Sequence, residues 1–299
     1  MSVLVVGSVA LDSVETPSGR RDEVLGGSAS FFSAVASLFA PVSLVAVVGE
    51  DFPEEHVRFF AGRSIDLAGL QRAPGRTFRW KGRYVGDLNQ AESLDTQLNV
   101  FETFDPELPA AYREARFVFL ANIDPDLQAR VLDQVHAPTF VACDTMNFWI
   151  RGKLEALRQT LRRVDCLLVN DGEARLLTGE HNIVRAVRAI LKMGPRQVVV
   201  KRGEYGAMVM DQEIFAIPAY PLEDVRDPTG AGDTFAGGFV GQLASAGRVD
   251  RDTLRRAAVM GTVAASFAVQ DFSLDGLKRL TRADLEARYQ DFRRLVYFD

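Results

Sequence analysis

Residues 42–49 read VSLVAVVG, with Ser43 as the one polar side chain among them. A strand with one wet face alternates apolar and polar residues, so a run without alternation expects cover on both faces. Runs of the same kind recur at VLVVG (3–7), FVFL (117–120), TFVAC (139–143), CLLVN (166–170) and QVVVK (197–201). Helical patterns are expected between them at about 28–40, 53–62, 125–136, 151–163 and 181–193. Unalternating strands separated by helices predict an α/β fold, a doubly wound and mostly parallel sheet flanked by helices.

Two stretches break this rhythm. RTFRWKGRY (76–84) sets Phe78, Trp80 and Tyr84 against Arg79, Lys81 and Arg83, and 92–101 sets Leu94, Thr96, Leu98 and Val100 against Asp95, Gln97 and Asn99. Period-two strands belong to a sheet with one covered and one wet face. With a segment around 14–25 they predict a small β-sheet lid, spanning about 13–25 and 75–104, on a single domain covering 1–299. Its apolar face would close over substrate or meet a second copy in a homodimer. Its arginines are expected on the solvent face. Residues 230–299 read as mostly helical.

Composition narrows the function. The chain has 299 residues, 47% hydrophobic, and a net charge of −5, enough apolar content for a sizeable core. Its 35 Lys and Arg are scattered, which argues against a nucleic-acid surface. No apolar run approaches the ~20 residues of a membrane span, and no membrane partner is expected. The opening MSVLVVGSVALD lacks the basic lead of a signal peptide. Cys143 and Cys166 form no C-x-x-C pair, which fits a cytoplasmic protein without disulfides. The histidines 56, 136 and 181 are too dispersed for a zinc site.

In open α/β sheets ligands bind beyond the carboxyl ends of the strands. There the chain places Asp12, Asp144, Asn170, Lys201 and Gly203, with Gly26 and Gly27 opening the first helix. DPTGAGDTFAGGF (227–239) should join them, because it also precedes a helical pattern. Bare amides at Gly230, Ala231 and Gly232 offer a cradle for an anion. No G-x-x-x-x-G-K-[ST] occurs, and 230–235 (GAGDTF) fails the last glycine of the dinucleotide fingerprint. Asp233 inside an anion cradle is costly unless it accepts a proton. An aspartate in line with a γ-phosphate can deprotonate an attacking alcohol while neighbouring amides stabilise the transferring group.

DPTGAGDTFAGGF resembles the D-T-x-G-A-G-D signature of ribokinase-like (PfkB-type) carbohydrate kinases. The stretch 26–49 is similar to that family's glycine-pair signature, NDGE (170–173) to its N-x-x-E, and KRGEYG (201–206) to its K-x-G-x-x-G. The resemblance implies an ATP- and Mg²⁺-dependent kinase acting on a primary hydroxyl of a sugar or sugar-like metabolite. It implies Asp233 as base and Gly230, Ala231 and Gly232 as anion hole. Asn170 and Glu173 would organise Mg²⁺ and the ATP phosphates, with Lys201, Gly203, Gly206, Thr229 and Gly261 beside the nucleotide. Asp12, Gly26 and Gly27 would hold substrate hydroxyls, and Asp227 a potassium ion. DTMNFW (144–149) resembles a D-P-N stretch and implies Asp144 and Asn147 near the crevice.

Two positions depart from the family pattern. Where many of its sugar kinases carry an Asn, four residues after the second glycine, this chain has Phe31, and Gly261 stands where ribokinases place an Asn near adenine. A phenyl ring can stack on a flat base, which raises a nucleoside kinase as the alternative. A catalytically silent ligand sensor is the competing reading, opposed by the presence of Asp233.

Overall fold

The computed structural model describes residues 1–86, 88–89 and 91–297. The strands are β1 (Val3–Val6), β2 (Ala10–Thr16), β3 (Gly19–Gly26), β4 (Val42–Gly49), β5 (Ile65–Ala73), β6 (Phe78–Tyr84) and β7 (Ala91–Gln97). They continue as β8 (Phe117–Leu120), β9 (Phe140–Asp144), β10 (Cys166–Asn170), β11 (Gln197–Lys201), β12 (Ala207–Met210) and β13 (Ile214–Ile217). The helices are α1 (Ser28–Ala36), α2 (Glu54–Ala61), α3 (Pro125–Leu132), α4 (Asn147–Gly152), α5 (Leu154–Leu161) and α6 (Asp171–Thr178). Then follow α7 (Ile183–Leu191), α8 (Ala231–Ala246), α9 (Arg251–Ala268), α10 (Asp275–Arg279) and α11 (Arg282–Leu295).

Among the described residues nine strands form one sheet in the order β13-β12-β11-β10-β9-β8-β1-β4-β5. All neighbours are parallel except β11–β12 and β12–β13. The order runs outward in both directions from β1, so the crevice of a doubly wound sheet opens beyond the carboxyl ends of β1 and β8. Successive residues of β1 enter opposite cores. Val3 and Val5 join Phe32, Phe119 and Phe239 on one face, while Leu4 and Val6 join Val118, Leu157 and Val187 on the other. That two-sided burial is what the unalternating runs require. Phe32 stacks on Phe119 at 4.4 Å. Its truncation to Ala would cost about 3–5 kcal/mol.

The smaller sheet runs β3-β2-β6-β7. In it β6 is half-buried at every position but buried Gly82, without the expected alternation of a covered and a wet face: Phe78 stacks on Phe101, the Trp80 indole lies over Gly82, and Tyr84 reaches the main body. The outer strand β7 departs from the expectation of one covered face, being exposed throughout. Its edge carries Glu92 and Asp95, charges that discourage pairing with another strand. Past it the chain leaves the strand, and Val100 turns into the core instead of continuing the alternation. The lid is tied to the body near the start of β6. Arg79 pairs with Asp51 at 2.8 Å and Glu23 at 2.7 Å, and Asp51 also accepts from the N–H and hydroxyl of Thr77, each at 2.7 Å. The lid arginine nearest the body is therefore a tether rather than a free solvent-facing charge.

Candidate active site

The stretch 227–233 becomes a turn leading into α8. Gly230 takes the left-handed conformation at φ 72°, and a Cβ there would stand 2.4 Å from the Phe31 ring. Only glycine meets both demands. No side chain caps α8, so its first-turn N–H groups remain turned outward as a site for an anion. Of the expected cradle, Ala231 donates its N–H to Pro228 at 3.2 Å and so closes the turn itself. Gly232 and Asp233 follow in the first helical turn. The Lys201 ammonium lies against Gly232, 3.0 Å from where a Cβ would be.

Asp233 is half-buried on this turn. Burial pushes its carboxyl up to about 7, the charge of Asp144 adds to this, and Lys201 opposes it. Asp144 is 3% exposed at the end of β9, with Oδ1 accepting from the Thr145 N–H at 2.8 Å and Oδ2 from Lys201 Nζ at 2.6 Å. With both oxygens occupied, Asp144 aims Lys201 rather than facing a substrate openly. Burial pulls the Lys201 ammonium down, but the carboxylates of Asp144, Glu173 and Asp233 outweigh it, so the charge is secure. Asn147 is exposed on the first turn of α4.

Asn170 and Glu173 form a reciprocal cap on α6. The Asn170 Oδ1 accepts from the Glu173 N–H, and Glu173 Oε2 from the Asn170 N–H, both at 2.7 Å. The N-x-x-E spacing is thus a capping box, which fixes a carboxylate at the crevice edge as it starts the helix. Burial raises the Glu173 carboxyl, as does the charge of Asp144.

Asp12, whose carboxyl feels the charges of Asp227 and Asp233, is buried on β2, and its Oδ2 accepts from the Gly27 N–H at 3.3 Å. A Cβ at Gly26 would lie 1.9 Å from that same oxygen, so the glycine pair exists to seat Asp12. Burial pushes the Asp12 carboxyl up to about 7. Asp227 has both oxygens on amides, Thr229 and Ser273, each at 2.9 Å. It braces two loops. That geometry favours a structural brace over the expected potassium ligand. Burial raises its carboxyl too.

Three expectations shift. Phe31 is 2% exposed with its ring against Gly230, so its faces are taken by protein and none is left for a base. Gly261 is buried at the crossing of α8 and α9, where a Cβ would meet the Phe235 carbonyl at 2.8 Å. Its role there is close helix packing rather than adenine contact. Gly206 lets the end of β13 pass, a Cβ standing 2.0 Å from the Ile217 carbonyl. Gly203 does face the crevice loop and meets the lid, since its Cβ position lies 2.0 Å from Asn89 Oδ1. Sequence reasoning missed one contact entirely: the Thr229 hydroxyl donates to Tyr84 Oη at 3.3 Å across 145 residues of chain. No spacing rule could have joined that pair.

Residues 2–277 match the model of the pfkB family of carbohydrate kinases. A cytidine kinase of Thermococcus kodakarensis is 30% identical over 247 residues, covering 80% of this chain and 87% of that protein. Among solved structures, an Escherichia coli protein described as a ribokinase II, in complex with ATP and Mg²⁺, superimposes with a TM-score of 0.80 at 20% identity, covering 97% of this chain and 99% of that one. The Burkholderia thailandensis nucleoside kinase in complex with inosine gives 0.79 at 18% identity, covering 97% of each chain. A family match over nearly the whole length, on a fold that gathers Asp233, Lys201 and an uncapped helix start, makes this chain a member of the pfkB family of carbohydrate kinases, an ATP-dependent phosphotransferase.

Proposed function

We propose that the chain transfers the γ-phosphate of ATP to a primary hydroxyl of a sugar-bearing metabolite, with a nucleoside as the favoured acceptor. One observation carries the reading: Asp233, its carboxyl raised to about 7, stands on the same turn as the open amides of α8 and the Lys201 ammonium. A group poised near neutrality can take the proton of an alcohol as its oxygen attacks phosphorus. The amides of Gly232 and Asp233 and the charge of Lys201 would stabilise the oxygens of the transferring group. Asp12 would accept from acceptor hydroxyls.

Among the described residues no group of three or more His, Cys, Asp or Glu side chains is arranged to hold a metal ion. This suits Mg²⁺, which keeps several waters and binds through one or two carboxylates plus substrate phosphates. Asn170 and Glu173 would hold it through water, the cap using Oε2 of Glu173. The ion would supply neutralisation of phosphate charge. The similarity to the Thermococcus cytidine kinase supports the nucleoside preference, whereas the buried Phe31 ring leaves no open face for a base.

A screen of ATP consumption against nucleosides, sugars and sugar phosphates tests the acceptor, and nucleosides are expected to turn over fastest. Asp233→Asn is expected to keep the fold and ATP affinity while lowering kcat by ~10²–10⁴. Turnover near that of the wild type would refute the mechanism.

A further inference from the structure

Tyr84 ends β6 of the lid, and the Thr229 hydroxyl donates to its phenol oxygen at 3.3 Å. Thr229 immediately precedes Gly230, where the chain turns left-handed to start α8. From the body side Thr229 is already held, its N–H donating to Asp227, which in turn grips Ser273. The phenol adds a hold from the lid side. It lies among the carboxylates of Asp227, Asp12 and Asp233, and burial together with their charge keeps it protonated. The hairpin beyond it meets the second phosphate motif as well, through Asn89 against Gly203. At the opposite end of β6, Arg79 and Thr77 are fixed to Asp51. The strand is thus anchored at its start and touches the catalytic turn at its end.

We propose that Tyr84 is a positioning residue that transmits the seating of the lid to the turn carrying Asp233 and the anion-holding amides. This rests on the phosphotransfer reading above. Acceptor that draws the lid down would then tighten the grip on the donor phosphates, and by linkage the donor would tighten the acceptor equally. The coupling carried by one neutral hydrogen bond is about 2- to 12-fold.

Tyr84→Phe keeps the ring and removes the hydroxyl. Hydrogen exchange of the Thr229 and Ala231 amides, the two bonded within the turn, is expected to quicken several-fold in this variant of the free protein, with α9 unchanged. Calorimetry with Mg²⁺ and a non-hydrolysable ATP analogue should show wild-type affinity rising about 2- to 12-fold when acceptor saturates. That ratio should fall towards one in Tyr84→Phe. Thr229→Val should remove the same coupling, and the double variant should lose no more than either single one. kcat should drop more than the acceptor KM rises. Unchanged exchange at Thr229 and Ala231, or effects of the two variants that simply add, would overturn the proposal. The exchange measurement needs no acceptor, so a chain that phosphorylates nothing in the screen would defeat the functional reading while the role of Tyr84 is still decided.

Discussion

As the proposed base, Asp233 would owe its chemistry to its burial. A carboxyl that titrates near 7 instead of 3.8 binds its proton more tightly folded than unfolded, so it favours the fold below 3.8 and loses that contribution as pH rises through 7. Asp12 has the same sign and range. Asp233→Asn should therefore raise Tm at pH 8 by on the order of a few degrees, with the gain shrinking towards pH 4. Calorimetric scans at the two pH values check this. Catalysis has the opposite dependence, because the base must be ionised. Log kcat/KM of the wild type should fall below about pH 7 with limiting slope one or steeper. Lys201 is the other residue whose loss is readable. Lys201→Met leaves Asp144 buried and unpaired, and should cost about 3–5 kcal/mol in denaturant unfolding as well as donor affinity.

At the scale of elements, α6 separates two meanings of one motif. A Gln at position 173 can keep the reciprocal cap while removing the charge, whereas Ala removes both. Glu173→Gln should raise the Mg²⁺ requirement and unfold no earlier than the wild type at pH 8, because burial raises the Glu173 carboxyl; Glu173→Ala should lose about 1 kcal/mol of stability relative to Glu173→Gln. The capping reading was legible in N-x-x-E itself, since an Asn followed by Glu three residues later is a helix-start pattern. Strands β1, β4, β8, β9, β10 and β11 were legible because burial on both faces leaves mostly apolar residues. Edge strand β5 (IDLAGLQRA) escaped, its mixed burial giving neither clean alternation nor a clean run. The pair β12 (AMVM) and β13 (IFAI) was missed because each includes Ala, a weak strand former, and β13 is largely unburied. The helix expected at 151–163 is two helices, broken at Lys153, where φ −137° and ψ 40° leave the helical region next to Gly152. In the site, local motifs marked most of the walls. Contacts made only in three dimensions, such as Phe31 under Gly230 and Tyr84 on Thr229, had no local signature.

For the whole molecule, the division between lid and body sets what can move. Among the described residues no helix is long and apolar enough to cross a membrane. The tether at Arg79 is partly shielded, its side chain 14% exposed, and removing it by Arg79→Met should loosen the lid by about 1 kcal/mol. Amide exchange should quicken in β2, β6 and the turn that Tyr84 touches, and stay constant in α8 from Thr234 onward. The constancy of α8 follows from its flanks. At Gly237 a Cβ would strike the Phe32 carbonyl at 2.5 Å, and at Gly238 the Gly261 Cα at 3.0 Å. Added bulk on that helix would displace Asp233 at its tip, whereas the outer hairpin tolerates change. Acquisition of new acceptors in such a scaffold should accordingly run through mutations of the hairpin that spare Tyr84, and laboratory selections confined to 78–83 and 91–97 would diversify what is phosphorylated while inheriting the phosphate donor intact.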